Sequence, residues 1–186
     1  GTLLLAAESL CLERGGRELF RDLSFAVHAG QLWQIEGPNG AGKTSLIRIL
    51  CGLARYGYAG QVQRLVPQLY IGHHPAVKAL LTPRENLAWH VSGSGQYTDA
   101  QIESALARMG LHGYEDVPSH TLSAGQHRRV NLARLFLSSA PVWLLDEPST
   151  SLDEAAQGML AAAVNTHLAG GGLAVVATHV PLGFAS

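Results

Sequence analysis

The feature that most constrains the fold is a glycine-rich segment between a short apolar run and a helical repeat. The apolar run spans residues 31–36 and predicts a strand. It leads directly into the glycine-rich segment, residues 37–45. Apolar residues then recur at helical spacing, at Leu46, Ile49, Leu50 and Leu53. A strand, a glycine loop and a helix in this order predict an α/β fold.

The glycine loop predicts a phosphate site. Residues Gly37 to Thr44 fit the pattern G-x-x-x-x-G-K-[ST] in the strand-to-helix context that this pattern requires. Its backbone N–H groups converge on phosphate oxygens, Lys43 can neutralise the β and γ phosphates, and Thr44 can ligate magnesium. A glycine-rich turn with a solvated lysine is the simpler alternative. The predicted nucleotide-binding residues are Gly37, Pro38, Asn39, Gly40, Ala41, Gly42, Lys43, Thr44 and Ser45.

A pair of carboxylates follows a second apolar run. Residues 142–147 predict a strand buried on both faces, with Asp146 and Glu147 at its carboxyl end, where open parallel sheets place their ligands. Asp146 can hold magnesium, directly or through water, and Glu147 can polarise the water that attacks a γ-phosphate. A similar run at 173–178 follows a helical pattern over 155–168. These elements predict a mostly parallel sheet.

Two further regions complete the predicted fold. In the first thirty residues, the segments 3–12 and 19–27 alternate between apolar and polar, which predicts an antiparallel β-subdomain. In the middle of the chain, residues 98–110 and 126–137 have helical spacing. We therefore expect all 186 residues to form one domain with a small inserted helical subdomain over about 74–138.

The charge balance argues against one class of partner. The chain has 13 Lys and Arg against 14 Asp and Glu, a formal net charge of −1. This removes the electrostatic case for binding nucleic acid through a broad basic surface. No apolar run approaches the roughly 18 residues of a membrane-spanning helix. The two cysteines, Cys11 and Cys51, fit neither a metal site nor a disulfide framework, so a reducing compartment is expected.

A motif at 122–126 points to a family. Leu122-Ser123-Ala124-Gly125-Gln126 opens an Arg-rich helix shortly before the acidic strand. The order of glycine loop, this motif and acidic strand resembles the ATP-binding cassette ATPases over nearly the whole chain. Their signature usually has glycine at the third position, so Ala124 differs by one methyl group. The resemblance implies a P-loop NTPase core, ATP and Mg²⁺ as cofactors, and a signature that acts in trans on ATP held by a second copy. From the residues alone, Ser123 is also a simple helix N-cap.

Other site residues follow from the same resemblance. Ser151 and Asp153 resemble the family's D-loop, and His179 resembles its switch histidine, which is placed to contact the γ-phosphate. The expected catalytic residues are therefore Glu147 and His179. His73 stands where the family usually has the glutamine of its coupling loop. Arg14 stands where an aromatic residue usually stacks on adenine, and a guanidinium can also stack on a base.

A narrower resemblance is to the ATPase subunit of bacterial cytochrome c maturation haem exporters. It implies integral membrane partners, with a pair of ATPase subunits bound peripherally at the cytoplasmic face of the inner membrane. It also implies that ATP turnover serves delivery of haem to a periplasmic haem chaperone, so this chain handles haem only indirectly. We expect residues 69–87 to dock on the membrane subunits. The segments that carry the resemblance are 71–75, 81–87, 122–134 and 178–182.

Three alternatives remain at this stage. A soluble cassette ATPase acting on ribosomes or DNA would normally bring a second cassette, a long coiled coil or a basic surface. A nucleotide-gated assembly module would bind ATP without hydrolysing it, which disagrees with the presence of Glu147 and His179. His73 and His74 suggest a metal or haem site, but no third ligand has a suitable spacing.

Overall fold

The chain folds as two compact units. The computed structural model describes residues 1–38, 40–89 and 97–179. Within these ranges, the first unit contains residues 1–73, 140–147 and 164–179, and the second contains the rest from 74 to 163. That a single nucleotide-binding domain spans the whole chain, with a helical subdomain over about 74–138, stays a prediction.

An antiparallel sheet of three strands forms one layer of the first unit. The strands are β1 (Leu3–Arg14), β2 (Arg17–His28) and β4 (Tyr58–Arg64), in the order β2-β1-β4. The predicted antiparallel pair is thereby confirmed. β4 was not predicted, because its sequence YAGQVQR has few apolar residues. Pairing with β1, and not its own hydrophobicity, makes this segment a strand.

The second sheet of this unit is parallel, as predicted. It contains β3 (Leu32–Glu36), β5 (Gln68–Ile71), β6 (Val142–Asp146) and β7 (Leu173–Thr178), in the order β3-β7-β6-β5. Every residue of β6 and β7 is buried, which explains their uninterrupted apolar sequences. The register places the carboxyl ends of β3, β6 and β7 at one edge of the sheet.

Helix α1 (Lys43–Leu50) shares a hydrophobic core with both sheets. The helix ends before Leu53, which was predicted to continue its apolar face and is instead 55% exposed. Gly52 has a φ of 83°, which takes the chain out of the helix. The guanidinium of Arg64 donates to the carbonyls of Ile49 and Leu50 and so satisfies the helix end.

The second unit is helical. It contains α2 (Pro83–Trp89), α3 (Asp99–Arg108), α4 (Ala124–Leu132) and residues 154–163 of α5 (Glu154–Ala169). The helix predicted over 126–137 is shorter, since residues 133–136 form a 3₁₀ turn. None of the helices within the described ranges is long and apolar enough to cross a membrane.

Candidate active site

The glycine loop between β3 and α1 encloses the side chain of Lys43. Gly42 begins α1 with a φ of 97°, and a Cβ at this position would come within 3.2 Å of Leu19 Cβ, so glycine is required. Lys43 is 7% exposed, and its ammonium donates to the carbonyls of Gly37 and, at 3.0 Å, Pro38. The loop therefore holds one buried positive charge against its own backbone. Asn39, also predicted in this site, lies outside the described residues.

The first two residues after Lys43 face different surroundings. Thr44 is exposed at the start of α1, where its hydroxyl can reach a ligand, whereas Ser45 is buried. Thr44 therefore offers an accessible hydroxyl oxygen to a ligand, whereas the Ser45 side chain packs in the protein interior. This difference agrees with a ligand role for Thr44.

The acidic pair lies at the carboxyl end of β6. Asp146 is completely buried and Glu147 is 3% exposed. Glu147 has a φ of 47°, a left-handed conformation that costs about 1–2 kcal/mol for a residue with a Cβ. Its N–H donates to the carbonyl of Ala177 at 2.8 Å, which ties this turn to β7. The backbone thereby leaves the strand and keeps the Glu147 carboxylate at the sheet edge.

His179 contacts Glu147 at this edge, a contact that the motifs did not predict. The distance between His179 Nδ1 and Glu147 Oε2 is 2.9 Å. The imidazole side chain is 48% exposed and the carboxylate side chain 5% exposed, so the ring lies between a buried carboxylate and solvent. The contact fixes both side chains and leaves the exposed part of the ring able to meet a substrate.

Tyr70 is a neighbour of the acidic pair that the sequence did not assign. It lies in β5, beside β6 and opposite Leu144. Burial, followed by the negative charge of Asp146, raises the pKa of its phenol. The phenol of Tyr70 therefore stays neutral beside Asp146. His73, the predicted coupling residue, is half-buried just beyond the end of this strand.

The signature residues form a helix start in the second unit. Ser123 is the N-cap of α4, and its hydroxyl accepts from the N–H of Gln126 at 3.1 Å. The Gln126 side chain accepts in return from the N–H of Ser123 at 2.9 Å. Ser123 and Ala124 are exposed, whereas a Cβ on Gly125 would come within 2.7 Å of the carbonyl oxygen of Ser151. The predicted capping role of Ser123 is confirmed, and it leaves the helix N-terminus accessible.

The predicted D-loop lies against this helix. Ser151 has a φ of 66°. Asp153 accepts through Oδ1 from the N–H of Ala156 at 2.9 Å and from Arg129 Nη2 at 2.9 Å. The hydrogen bond from Ala156, together with the charge of Arg129, lowers the pKa of the Asp153 carboxyl. The structure thus brings together the two motifs of the second unit.

The end of the β1–β2 hairpin carries the base-stacking candidate. Arg14 is exposed there and pairs with Arg17 across the hairpin. On β2, Leu19 and Phe20 lie next to Gly42, since a Cβ there would come within 3.6 Å of Phe20 Cδ1. Their alternating pattern predicted a strand but not this contact with the glycine loop.

The donor atoms of the site decide which metal ion it can hold. In the described part of the chain, no group of three His, Cys, Asp or Glu side chains could hold a metal ion. Thr44 and Asp146 are a different kind of donor set, a hydroxyl and one carboxylate, which are the hard oxygen ligands that Mg²⁺ accepts alongside substrate phosphates. The site chemistry therefore fits Mg²⁺ and does not depend on His73 or His74.

Comparison with known proteins identifies the family. The sequence profile of ABC transporters matches residues 20–150. The chain belongs to the ABC transporter family. Its fold class, ATP binding and ATP-hydrolysing activity, all predicted from the order of the motifs, are confirmed with this membership.

Curated relatives of this ABC ATPase share about half of its residues. One is the cytochrome c biogenesis ATP-binding export protein CcmA of Pseudomonas syringae, which is 48% identical over 96% of this chain and 89% of its own. The protein of the same name from Yersinia pestis is 47% identical over 98% and 89%, respectively. An ABC transporter ATP-binding protein from Pyrococcus furiosus has a similar fold, with a TM-score of 0.84 at 20% identity over 97% of this chain and 94% of its own.

Proposed function

We propose that this ABC ATPase drives an export step of cytochrome c biogenesis as the peripheral subunit of a complex with integral membrane proteins. Its place is the cytoplasmic face of a bacterial inner membrane. The complex releases haem to a periplasmic haem chaperone. The membrane subunits, and not this chain, contact the haem. The names of the two relatives support this assignment. The observation that carries the hydrolytic role is the contact of Glu147 with His179 at the ligand-binding edge of the sheet.

Each group at this edge has a defined task in hydrolysis. Lys43 binds the β and γ phosphates through its ammonium group, which in this structure donates to the carbonyls of Gly37 and Pro38. Glu147 orients and polarises the attacking water, and the hydrogen bond from His179 holds its carboxylate in place. The exposed part of the His179 ring contacts the γ-phosphate. Burial of Glu147 strengthens these electrostatic interactions by excluding bulk water.

Magnesium is the cofactor that the residues fit. The Thr44 hydroxyl and the Asp146 carboxylate would hold it, the first exposed at the start of α1 and the second buried at the end of β6. When bound, Mg²⁺ neutralises charge on the β and γ phosphates.

A second copy of the chain completes each ATP site. Ser123 caps α4, whose accessible N-terminus is suited to an anionic group. We place this end on the γ-phosphate of ATP held by the partner's glycine loop, in a two-fold symmetric dimer with two nucleotides. Ala124, Gly125 and Gln126 form the rest of this surface, and Ser151 and Asp153 lie beside it in the second unit.

The surface for the membrane subunits is the segment 69–87. Leu80 is 91% exposed in this segment. The backbone around it is fixed by the buried side chain of Asn86, which accepts from the N–H of Lys78 at 2.7 Å and donates to the carbonyl of Thr82 at 3.0 Å. Leu80 is therefore exposed on a backbone that buried hydrogen bonds hold in place, and we assign it to the contact with the membrane subunits. His73, in the same segment, follows the end of β5 by two residues.

Replacing Leu80 by aspartate should separate docking from catalysis. The charge would have to be buried against a membrane subunit, so we expect loss of copurification with the membrane proteins and loss of c-type cytochrome maturation in cells. ATPase activity of the isolated chain should stay near normal. Leu65→Asp is the matched control, because Leu65 is also exposed (54%) but lies in the first unit outside this segment. Unchanged assembly of Leu80→Asp would contradict the docking assignment.

Arg14 should contribute to nucleotide binding by stacking on the base. Arg14→Ala should weaken ATP binding about two- to fivefold, the size of an exposed cation–π contact. Arg17→Ala should leave ATP affinity unchanged. Arg17 is the exposed partner of Arg14 across the hairpin, so this variant removes an equal charge and serves as the control. Equilibrium titration with a fluorescent ATP analogue measures both. Equal affinities for the two variants would remove Arg14 from the site.

The partner assignment is tested by purifying the tagged chain from its native membranes and identifying the proteins that accompany it. We expect integral membrane subunits required for c-type cytochrome maturation. A membrane partner unrelated to haem handling would contradict the biogenesis role and leave the ATPase assignment intact.

A further inference from the structure

One face of α4 contacts the turn at residues 149–153 twice. At the start of the helix, Gly125 lies so close to the carbonyl of Ser151 that a Cβ would come within 2.7 Å of it. One helical turn later, Arg129 Nη2 donates to Asp153 Oδ1 at 2.9 Å. Residues four apart lie on the same helix face, so the two contacts belong to one continuous surface.

The Arg129 guanidinium is mostly buried and lies against Gly110. Its side chain is 17% exposed, and a Cβ on Gly110 would come within 2.9 Å of Nη1 and 3.2 Å of Met159 Cε. Asp153 is fixed as well, because Oδ1 also accepts from the N–H of Ala156 in the first turn of α5. The Asp153 side chain is itself 65% exposed, so the bond is held by the mostly buried Arg129 and by the second hydrogen bond of Asp153.

We propose that Arg129 is a positioning residue for ATP hydrolysis, which holds the turn at 149–153 in register with the signature helix. This inference rests on the two-copy ATP site proposed above. With the bond in place, Ser123 and the turn face the partner's nucleotide as one rigid surface. Without it, the turn keeps the hydrogen bonds from the N–H of Leu152 to the carbonyl of Ser149 and from Gln157 Nε2 to the carbonyl of Leu152, but it loses its charge-assisted bond to α4 and can shift against that helix.

Arg129→Gln separates positioning from binding. The variant should lower kcat about tenfold or more, because a small misplacement far from the chemistry is costly. The KM for ATP should stay within about twofold, since ATP is first bound by the glycine loop, in the first unit. Arg108→Gln in α3 is the matched control, since Arg108 instead lies over the ring of Phe136 at 5.4 Å and should keep wild-type kcat.

Asp153→Asn tests the same bond from its other end. Asparagine keeps an oxygen acceptor for the N–H of Ala156 and removes the charge that Arg129 meets. The single variants should lose similar amounts of kcat, and the double variant should lose no more than the worse single, as expected for two residues that act as a unit. Losses that multiply in the double variant would overturn the proposal.

The remaining outcomes are also decisive. Wild-type kcat in folded Arg129→Gln would overturn the proposal, as would a parallel loss of kcat, ATP affinity and melting temperature. If Arg129→Gln does not fold, Arg129→Lys keeps the charge with a single donor group and should have an intermediate kcat; wild-type kcat there would overturn the proposal equally. A monomeric wild-type chain at saturating ATP would instead contradict the proposed two-copy ATP site on which the inference rests.

Discussion

Lys43→Ala should abolish ATP binding by the chain and, with it, hydrolysis. The loop holds the Lys43 ammonium as a buried positive charge, so the variant removes the fixed counter-charge of the phosphates. We expect affinity for Mg-ATP to fall at least about a hundredfold, equivalent to about 2.7 kcal/mol. Isothermal titration with ATP measures the loss directly.

The matched control for this variant is Arg48→Ala, which removes an exposed positive charge from the same helix. It should keep wild-type affinity. Circular dichroism establishes that Lys43→Ala is folded. Binding of ATP at wild-type affinity by the folded variant would contradict the assignment of the glycine loop.

Glu147→Gln should stop hydrolysis while leaving ATP binding intact. Glutamine keeps the shape of the side chain, and its amide can still meet His179 Nδ1, but it cannot polarise water as a carboxylate does. We expect kcat to fall on the order of a hundredfold or more. Because bound ATP is then not consumed, the ATP-bound dimer should accumulate.

Two measurements check this expectation together. Phosphate release gives kcat, and light scattering after size-exclusion chromatography gives the mass with and without ATP. Turnover equal to the wild type would remove Glu147 from its role. A monomer at saturating ATP would contradict the proposed dimer while leaving the hydrolytic role of Glu147 standing.

Much of the fold could be predicted because local pattern and tertiary environment agree. The runs at β6 and β7 are apolar throughout, and the structure buries both strands on both faces. In the glycine loop, Gly42 adopts a φ of 97°, a conformation that residues with a Cβ avoid. For these elements the residue types alone limit which backbone conformations can form.

The errors arose where a long-range contact decides the local structure. β4 is a strand because β1 is beside it, and α1 stops before Gly52, where Arg64, distant in sequence, satisfies the last carbonyls. Apolar spacing alone extended that helix to Leu53. Such pairings leave no periodic signal in either partner.

The site was predicted as a set of motifs and not as a set of contacts. Motif order identified Glu147 and His179, but no pattern indicated that their side chains meet at 2.9 Å. Likewise, Leu19 beside the glycine loop and Arg129 beside Asp153 follow only from how the chain folds back on itself. The assignment of Arg14 to the base stays a prediction.

The most direct test of the central claim is the level of c-type cytochromes in cells whose only copy of this chain carries Glu147→Gln. The proposed function predicts that the variant still copurifies with its membrane subunits, because the segment 69–87 is unchanged, yet covalently attached haem in c-type cytochromes falls to the level of a deletion strain. Haem staining of membrane proteins after denaturing electrophoresis measures this. Normal c-type cytochromes, alongside a purified variant that no longer hydrolyses ATP, would contradict the claim that ATP hydrolysis by this chain drives cytochrome c biogenesis.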